Sequence, residues 1–169
     1  LLFGHLLSKF GVKLNIMLKP GDRLPEFALP NQDGNIVRSE DFKGKKLIVY
    51  FYPKASTPGC TAEACNLRDH NMEIEEDGYQ LIGISADSVQ RQKNFSLKNA
   101  LPFDLLSDEK HEVIEKFGVW QLKKFMGRTF MGIVRTTFIF DENGICTRII
   151  EKVKTKDHAA QILEHNIPL

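Results

Sequence analysis

Apolar runs of strand length alternate along this chain with segments of helical composition. KKLIVYFY (45–52) is a continuous apolar run, the pattern of a strand covered on both faces. YQLIGISA (79–86) repeats that pattern, and FDLLS (103–107) is a shorter strand. RTTFIF (135–140) and ICTRIIE (145–151) flank DENG and predict an antiparallel hairpin. An earlier hairpin is predicted by FALPNQDGNIVR (27–38), where Asp33-Gly34 separates two short apolar runs. Between these strands, TAEACNLRDHNMEIEE (61–76) predicts one helix that stops before Asp77-Gly78. Ser88 caps a second helix over 89–100, and acids early in DEKHEVIEKFG (108–118) start a third that ends at Gly118. A last helix is expected over 155–165. Trp120, Phe125 and Phe130 with Lys123, Lys124 and Arg128 read as a loop that packs its aromatics and solvates its charges rather than as an aromatic–basic nucleic-acid patch.

Helices alternating with strands, then a hairpin and a terminal helix, indicate an α/β sandwich with a central mixed sheet flanked by helices. A thioredoxin-like arrangement fits this order. The length of 169 residues supports a single domain with a proper core. Lys plus Arg number 23 against 22 Asp plus Glu, a near-balance that argues against nucleic acid or a membrane surface as partner. No apolar run approaches the ~18 residues of a spanning helix, so a soluble domain is expected. Residues 1–16, LLFGHLLSKFGVKLNI, stand apart: apolar positions 3, 6, 7, 10 and 14 have helical spacing, with two lysines and no acid. They read as an extension, either upstream of a natural start at Met17 or an organelle-targeting helix, ahead of a domain over 17–169.

The cysteines change the picture most. There are three, too few and too odd in number for a disulfide scaffold, which points to a reducing compartment such as the cytoplasm. Two of them, Cys60 and Cys65, follow the strand 45–52 in PKASTPGCTAEAC (53–65). Thr57 is a favoured N-cap, Pro58 fits the first helical position, and Gly59 has no side chain to block access. Cys60 then falls in the first turn, where free N–H groups and the helix dipole favour a thiolate. That placement raises the thiolate fraction at most about thirtyfold, so further acceleration needs donors aimed at the transition state. On a continuous helix Cys60 and Cys65 have Cα atoms roughly 8.6 Å apart, beyond the ~7 Å reach of a disulfide. Bonding them requires the first turns to unwind. Two plainer readings stand beside the redox one: a buried core thiol, and a zinc half-site with Cys146, for which the five histidines show no paired spacing.

The other polar candidates read as structural on their own. Arg135 opens a strand that puts Arg135, Thr137 and Ile139 on one face, and an arginine at a strand end is most simply a surface ion pair. Glu63 in the first helical turn is most simply a dipole-compatible acid, with a role near Cys60 secondary. Cys146 reads as a half-buried strand residue, with resolution of Cys60 or pairing between chains as alternatives that Cys65 makes unnecessary. His70 and His111 sit on predicted helices without a partner that would make either a catalytic base.

Taken together, PKASTPGCTAEAC resembles the active-site segment of peroxiredoxins, Pro-x-x-x-Thr/Ser-x-x-Cys, with Pro53, Thr57 and Cys60 in register. The Thr-Pro-Gly-Cys-Thr form, with a second cysteine five residues on, resembles the bacterioferritin comigratory protein (PrxQ) subfamily. FGVWQLKKFMGRTFMGIVRTTFIFD (117–141) resembles that subfamily's downstream segment. The resemblance implies a thiol peroxidase in which Cys60 attacks the peroxide O–O bond and becomes a sulfenic acid. Thr57 hydrogen-bonds the peroxide, Pro53 shields the sulfenic acid, Gly59 lines the approach, and Arg135 favours the thiolate. It further implies that Cys65 resolves Cys60 through an intramolecular disulfide reduced by thioredoxin or a similar dithiol. Metal, haem and flavin are not called for, and a monomer is expected. The alternative is a redox sensor or thiol–disulfide exchange protein using the same cysteine pair.

Overall fold

A computed structural model describes residues 16–164. The central sheet has five strands: β3 (Lys46–Phe51), β4 (Tyr79–Ser85), β5 (Asp104–Ser107), β8 (Thr136–Phe140) and β9 (Cys146–Ile150), in the order β5-β4-β3-β8-β9. β3, β4 and β5 run parallel, while β8 pairs antiparallel with both β3 and β9. The sheet is therefore mixed, as the sequence predicts. Among the described residues five α-helices flank it: α1 (Pro58–Asp69), α2 (Asn71–Glu76), α3 (Val89–Asn99), α4 (Glu112–Lys116) and α5 (His158–Leu163).

Strand β3 shows why its sequence is apolar throughout. Leu47, Val49 and Phe51 enter a core shared with Phe117 and with Val113 and Ile114 of α4. Ile48, Tyr50 and Tyr52 point the other way, into a core built with Cys60, Ala64 and Leu67 of α1, Phe95 of α3 and Ile162 of α5. Alternate side chains of a strand face opposite sides, so a strand between two layers must be hydrophobic at every position. Strand β4 leaves room for this packing at Gly83, where a Cβ would lie 2.7 Å from the Tyr50 ring.

The first hairpin forms as predicted from β1 (Ala28–Pro30) and β2 (Ile36–Arg38), with Gly34 in the left-handed region at its tip. Four expectations need correction. The helix over 61–76 is two helices, broken at His70, whose ring Nδ1 lies 2.8 Å from the Asn66 carbonyl oxygen. The helix over 108–118 shrinks to α4, because the Asp108 carboxylate accepts the N–H groups of Val113 and Ile114 and His111 adopts a left-handed backbone. The segment 119–134 is a hairpin, not a loop: β6 (Trp120–Phe125) pairs with β7 (Arg128–Ile133) across Met126-Gly127, both at positive φ. Positive φ at both central residues defines the tight turn that suits strand twist. Its aromatics are only partly packed. Trp120 stacks on His111 at 4.0 Å between ring centroids, whereas Phe125 and Phe130 are exposed. The terminal helix is shorter than expected, and residues 1–15 of the extension lie outside the described residues. Among the described residues no helix is long and apolar enough to cross a membrane.

Candidate active site

The loop after β3 sets the geometry. Ala55 donates its N–H to the Asp87 carboxylate at 2.8 Å, and Ser85 donates its hydroxyl to the same oxygen at 2.7 Å. Arg91 reaches the other Asp87 oxygen at 3.1 Å. Gln92 extends the network from Ser85 to the Tyr52 hydroxyl. This buried scaffold holds the loop against β4 with Ser56 at φ +66°. A non-glycine residue in that region persists only where its surroundings fix it.

Helix α1 begins where the sequence places it. Thr57 is the extended N-cap residue and Pro58 the first helical one, which puts Cys60 at the third position of the first turn. Thr57 makes no capping hydrogen bond through its side chain. It donates its hydroxyl to the Lys54 carbonyl at 2.8 Å instead, which leaves the oxygen's lone pairs free to accept. The first backbone bond of the helix runs from Thr61 to Thr57 at 2.9 Å, so the N–H groups of Gly59 and Cys60 have no helical carbonyl to bond. Pro53, Thr57 and Gly59 are half-buried around the buried Cys60.

Arg135 lies in the link between β7 and β8 and reaches this helix end. Its Nη2 donates to Cys60 Sγ at 3.3 Å, and its Nη1 is ion-paired with Glu63 Oε2. One guanidinium thus holds both the thiol and the carboxylate, so Arg135 is no surface ion pair. Burial opposes its charge, but Glu63 and Cys60 outweigh burial and hold the guanidinium above its usual pKa. Lys123 of β6 also feels Arg135 and Cys60; burial lowers its pKa, Arg135 adds to that, and Cys60 opposes it.

Glu63 is a second correction. It is the sixth residue of α1, past the first turn, and 0 % exposed, and burial pushes its carboxyl up to about 7 against the pull of Arg135. The signal was available in its spacing, since Cys60, Glu63, Ala64 and Leu67 form the buried stripe of α1. His158 of α5, Asp87 and Gln92 carry no motif that marks them in the sequence. Cys65 sits on the same unbroken helix as Cys60, but its thiol points at α3, donating to Asn99 Oδ1 at 3.6 Å. Cys146 is fully buried, not half-buried, and belongs to the core on the opposite sheet face from Cys60. All three cysteines are free thiols. Among the described residues no group of three or more His, Cys, Asp or Glu is placed to hold a metal ion.

A cysteine site of this shape, on this sheet, fits one class: thiol-dependent peroxidases. Residues 20–149 match the family model described as AhpC/TSA family, and the chain belongs to that family. The kinship narrows further within it. The chain is 47% identical over 146 residues to peroxiredoxin Bcp of Escherichia coli K12, spanning 86% of this chain and 94% of that one. Peroxidoxin BcpB of Mycobacterium tuberculosis superposes with a TM-score of 0.78 at 33% identity, covering 90% of this chain and 99% of that one. The bacterioferritin comigratory protein of Xanthomonas campestris, solved in a study of its alkyl peroxide reduction, gives 0.77 at 33% identity over 82% and 88% of the two chains. The resemblance seen in the sequence is borne out, and the thiol peroxidase activity goes with it.

Proposed function

We propose that Cys60 is the peroxidatic thiol and that Arg135 directs it. The 3.3 Å contact between the Arg135 guanidinium and Cys60 Sγ, at a helix N-terminus, carries this reading. The thiolate attacks the distal peroxide oxygen, the O–O bond breaks, and Cys60 becomes a sulfenic acid while the alkoxide or hydroxide leaves and takes a proton. Negative charge grows on the leaving oxygen, where the first-turn N–H groups and the guanidinium stabilise it. The free lone pairs of Thr57 accept the peroxide O–H, and Pro53 and Gly59 shape the approach. Cys65 then condenses with the sulfenic acid, releasing water and leaving an intramolecular disulfide. A dithiol, thioredoxin or one like it, returns both thiols. Hydrogen peroxide and organic hydroperoxides are the proposed substrates; the X. campestris relative, with its alkyl peroxide reduction, supports the second class. Three free thiols fit work in a reducing cytoplasm, and the family resemblance favours a monomer.

Peroxide consumption with dithiothreitol tests the assignment. Wild type and Cys65→Ser should turn over while Cys60→Ser does not, because an external dithiol can reduce the sulfenic acid directly. Turnover surviving in Cys60→Ser would remove Cys60 from the chemistry. Fast single oxidation of Cys60 with no turnover would favour the sensor reading instead.

A further inference from the structure

Behind Arg135, away from the thiol, Glu63 meets a histidine that no step above uses. His158 is 0 % exposed on α5. Its hydrogen bonds assign the tautomer. Gln161 Oε1 accepts the Lys154 N–H at 2.8 Å while Gln161 Nε2 donates to the Lys152 carbonyl at 2.9 Å, which fixes the amide's orientation. His158 Nδ1, 3.0 Å from that Oε1, must therefore be the donor. In the neutral ring Nε2 is then an acceptor, and Thr137 donates its hydroxyl to it at 2.8 Å. Glu63 Oε1 faces the same Nε2 at 3.7 Å and has no hydrogen-bond partner of its own. An ionised Oε1 here is a buried acceptor with no donor, because Nε2 carries no hydrogen and its one lone pair accepts from Thr137. One proton on Oε1, after a movement of about 1 Å, lets the carboxyl donate to Nε2 in place of the Thr137 hydroxyl, which turns away.

The surrounding charges make that proton matter to Cys60. Facing the cluster are Arg135, which holds both Cys60 and Glu63; Lys123 of β6; Tyr50 of β3 and Tyr52 just after it; and Arg148 of β9, whose charge acts on His158. Burial keeps both tyrosines neutral. Thiolate and carboxylate together would put two anions one helical turn apart on a single shared guanidinium, in a buried site. We propose that Glu63 and His158 form a one-proton dyad that takes up the proton Cys60 gives away. Cys60–SH and Glu63–COO⁻ exchange for Cys60–S⁻ and Glu63–COOH, the proton passing through solvent, and the new O–H is donated to His158 Nε2. The cluster then holds one anion at a time, and Arg135 is released from the carboxylate when the thiolate needs it. Burial supports this order, lifting Glu63 to about 7 and depressing His158 to about 4, so the dyad's proton belongs on Glu63. Glu63 and His158 are positioning residues: they act through Arg135 and do not touch peroxide.

The inference rests on Cys60 being the reactive thiol, which turnover of Cys60→Ser tests separately. Its own test is the infrared C=O band of a protonated carboxyl in the reduced protein, followed against pH. Glu63 is the only buried glutamate among the described residues, so labelled glutamate assigns the band even if Glu63→Gln fails to fold. Wild type should show the band at neutral pH. Cys60→Ser, with no thiolate to repel the carboxylate, should lose it about one pH unit lower, a tenfold change in proton affinity. His158→Asn keeps a donor for Gln161 but lacks the Nε2 acceptor, and should shift the midpoint down as well; His158→Gln, which restores an acceptor at that reach, should recover part of it. The same midpoint in wild type and Cys60→Ser overturns the exchange, as does a wild type without the band at neutral pH. A midpoint indifferent to His158→Asn removes the histidine from the dyad.

Discussion

At Gly59 a single missing side chain keeps the guanidinium where it is. A Cβ there would stand 3.3 Å from Arg135 Nη2, tighter than an ordinary contact, and that nitrogen is the one donating to Cys60. Yielding would cost Arg135 its hold on Cys60 Sγ. Alanine also suits a helix better than glycine by about 0.5–1 kcal/mol. The two effects separate cleanly. Gly59→Ala should leave the denaturation midpoint unchanged or higher while lowering the rate of Cys60 oxidation by peroxide about tenfold, roughly the 1.4 kcal/mol of one weakened charge-assisted hydrogen bond. Stopped-flow oxidation beside urea unfolding reads both. Loss of stability with an unchanged oxidation rate would mean that the contact is packing alone.

On the scale of one element, α1 runs unbroken through both cysteines, and their side chains diverge: Cys60 toward Arg135, Cys65 toward Asn99. A Cα separation of roughly 8.6 Å exceeds the ~7 Å a disulfide spans, so the proposed resolution by Cys65 has to melt the first turns. Peroxide treatment should therefore strip hydrogen-exchange protection from the amides of 61–66 and leave β3 and β4 protected; a mapped Cys60–Cys65 disulfide with α1 still protected would break this link. The start of α1 was legible because Thr57-Pro58 is a local signal acting over a few residues. The break at His70 was not, since nothing in TAEACNLRDHNMEIEE marks a stop until the chain folds back. Nor was the hairpin β6–β7 seen, because its tight turn uses Met126 where asparagine or aspartate usually announces one.

For the molecule as a whole, the two-sided sheet was readable from β3 alone, while the polar cluster beneath Cys60 was not. Its members come from α1, the β7–β8 link, β8 and α5, and only the folded sheet brings Glu63, Arg135, Thr137 and His158 together. That cluster should govern how stability follows pH. Glu63 is raised from 4.5 to about 7 on folding, so its contribution is complete below 4.5 and is lost as pH rises through 7. His158 is depressed from 6.5 to about 4, so its contribution is complete above 6.5 and is lost as pH falls through 4. Between about 4.5 and 6.5 the slopes oppose each other, each up to about 1.4 kcal/mol per pH unit, and the wild type should unfold with nearly the same free energy throughout. Glu63→Gln removes one slope and should lose about 2 kcal/mol on acidification across that window, as the histidine contribution acts alone. His158→Asn should show the reverse, losing stability as pH rises from 4.5 toward 7. Urea unfolding at half-unit steps of pH decides it: parallel curves for the wild type and both variants would show that neither buried group changes its proton affinity on folding.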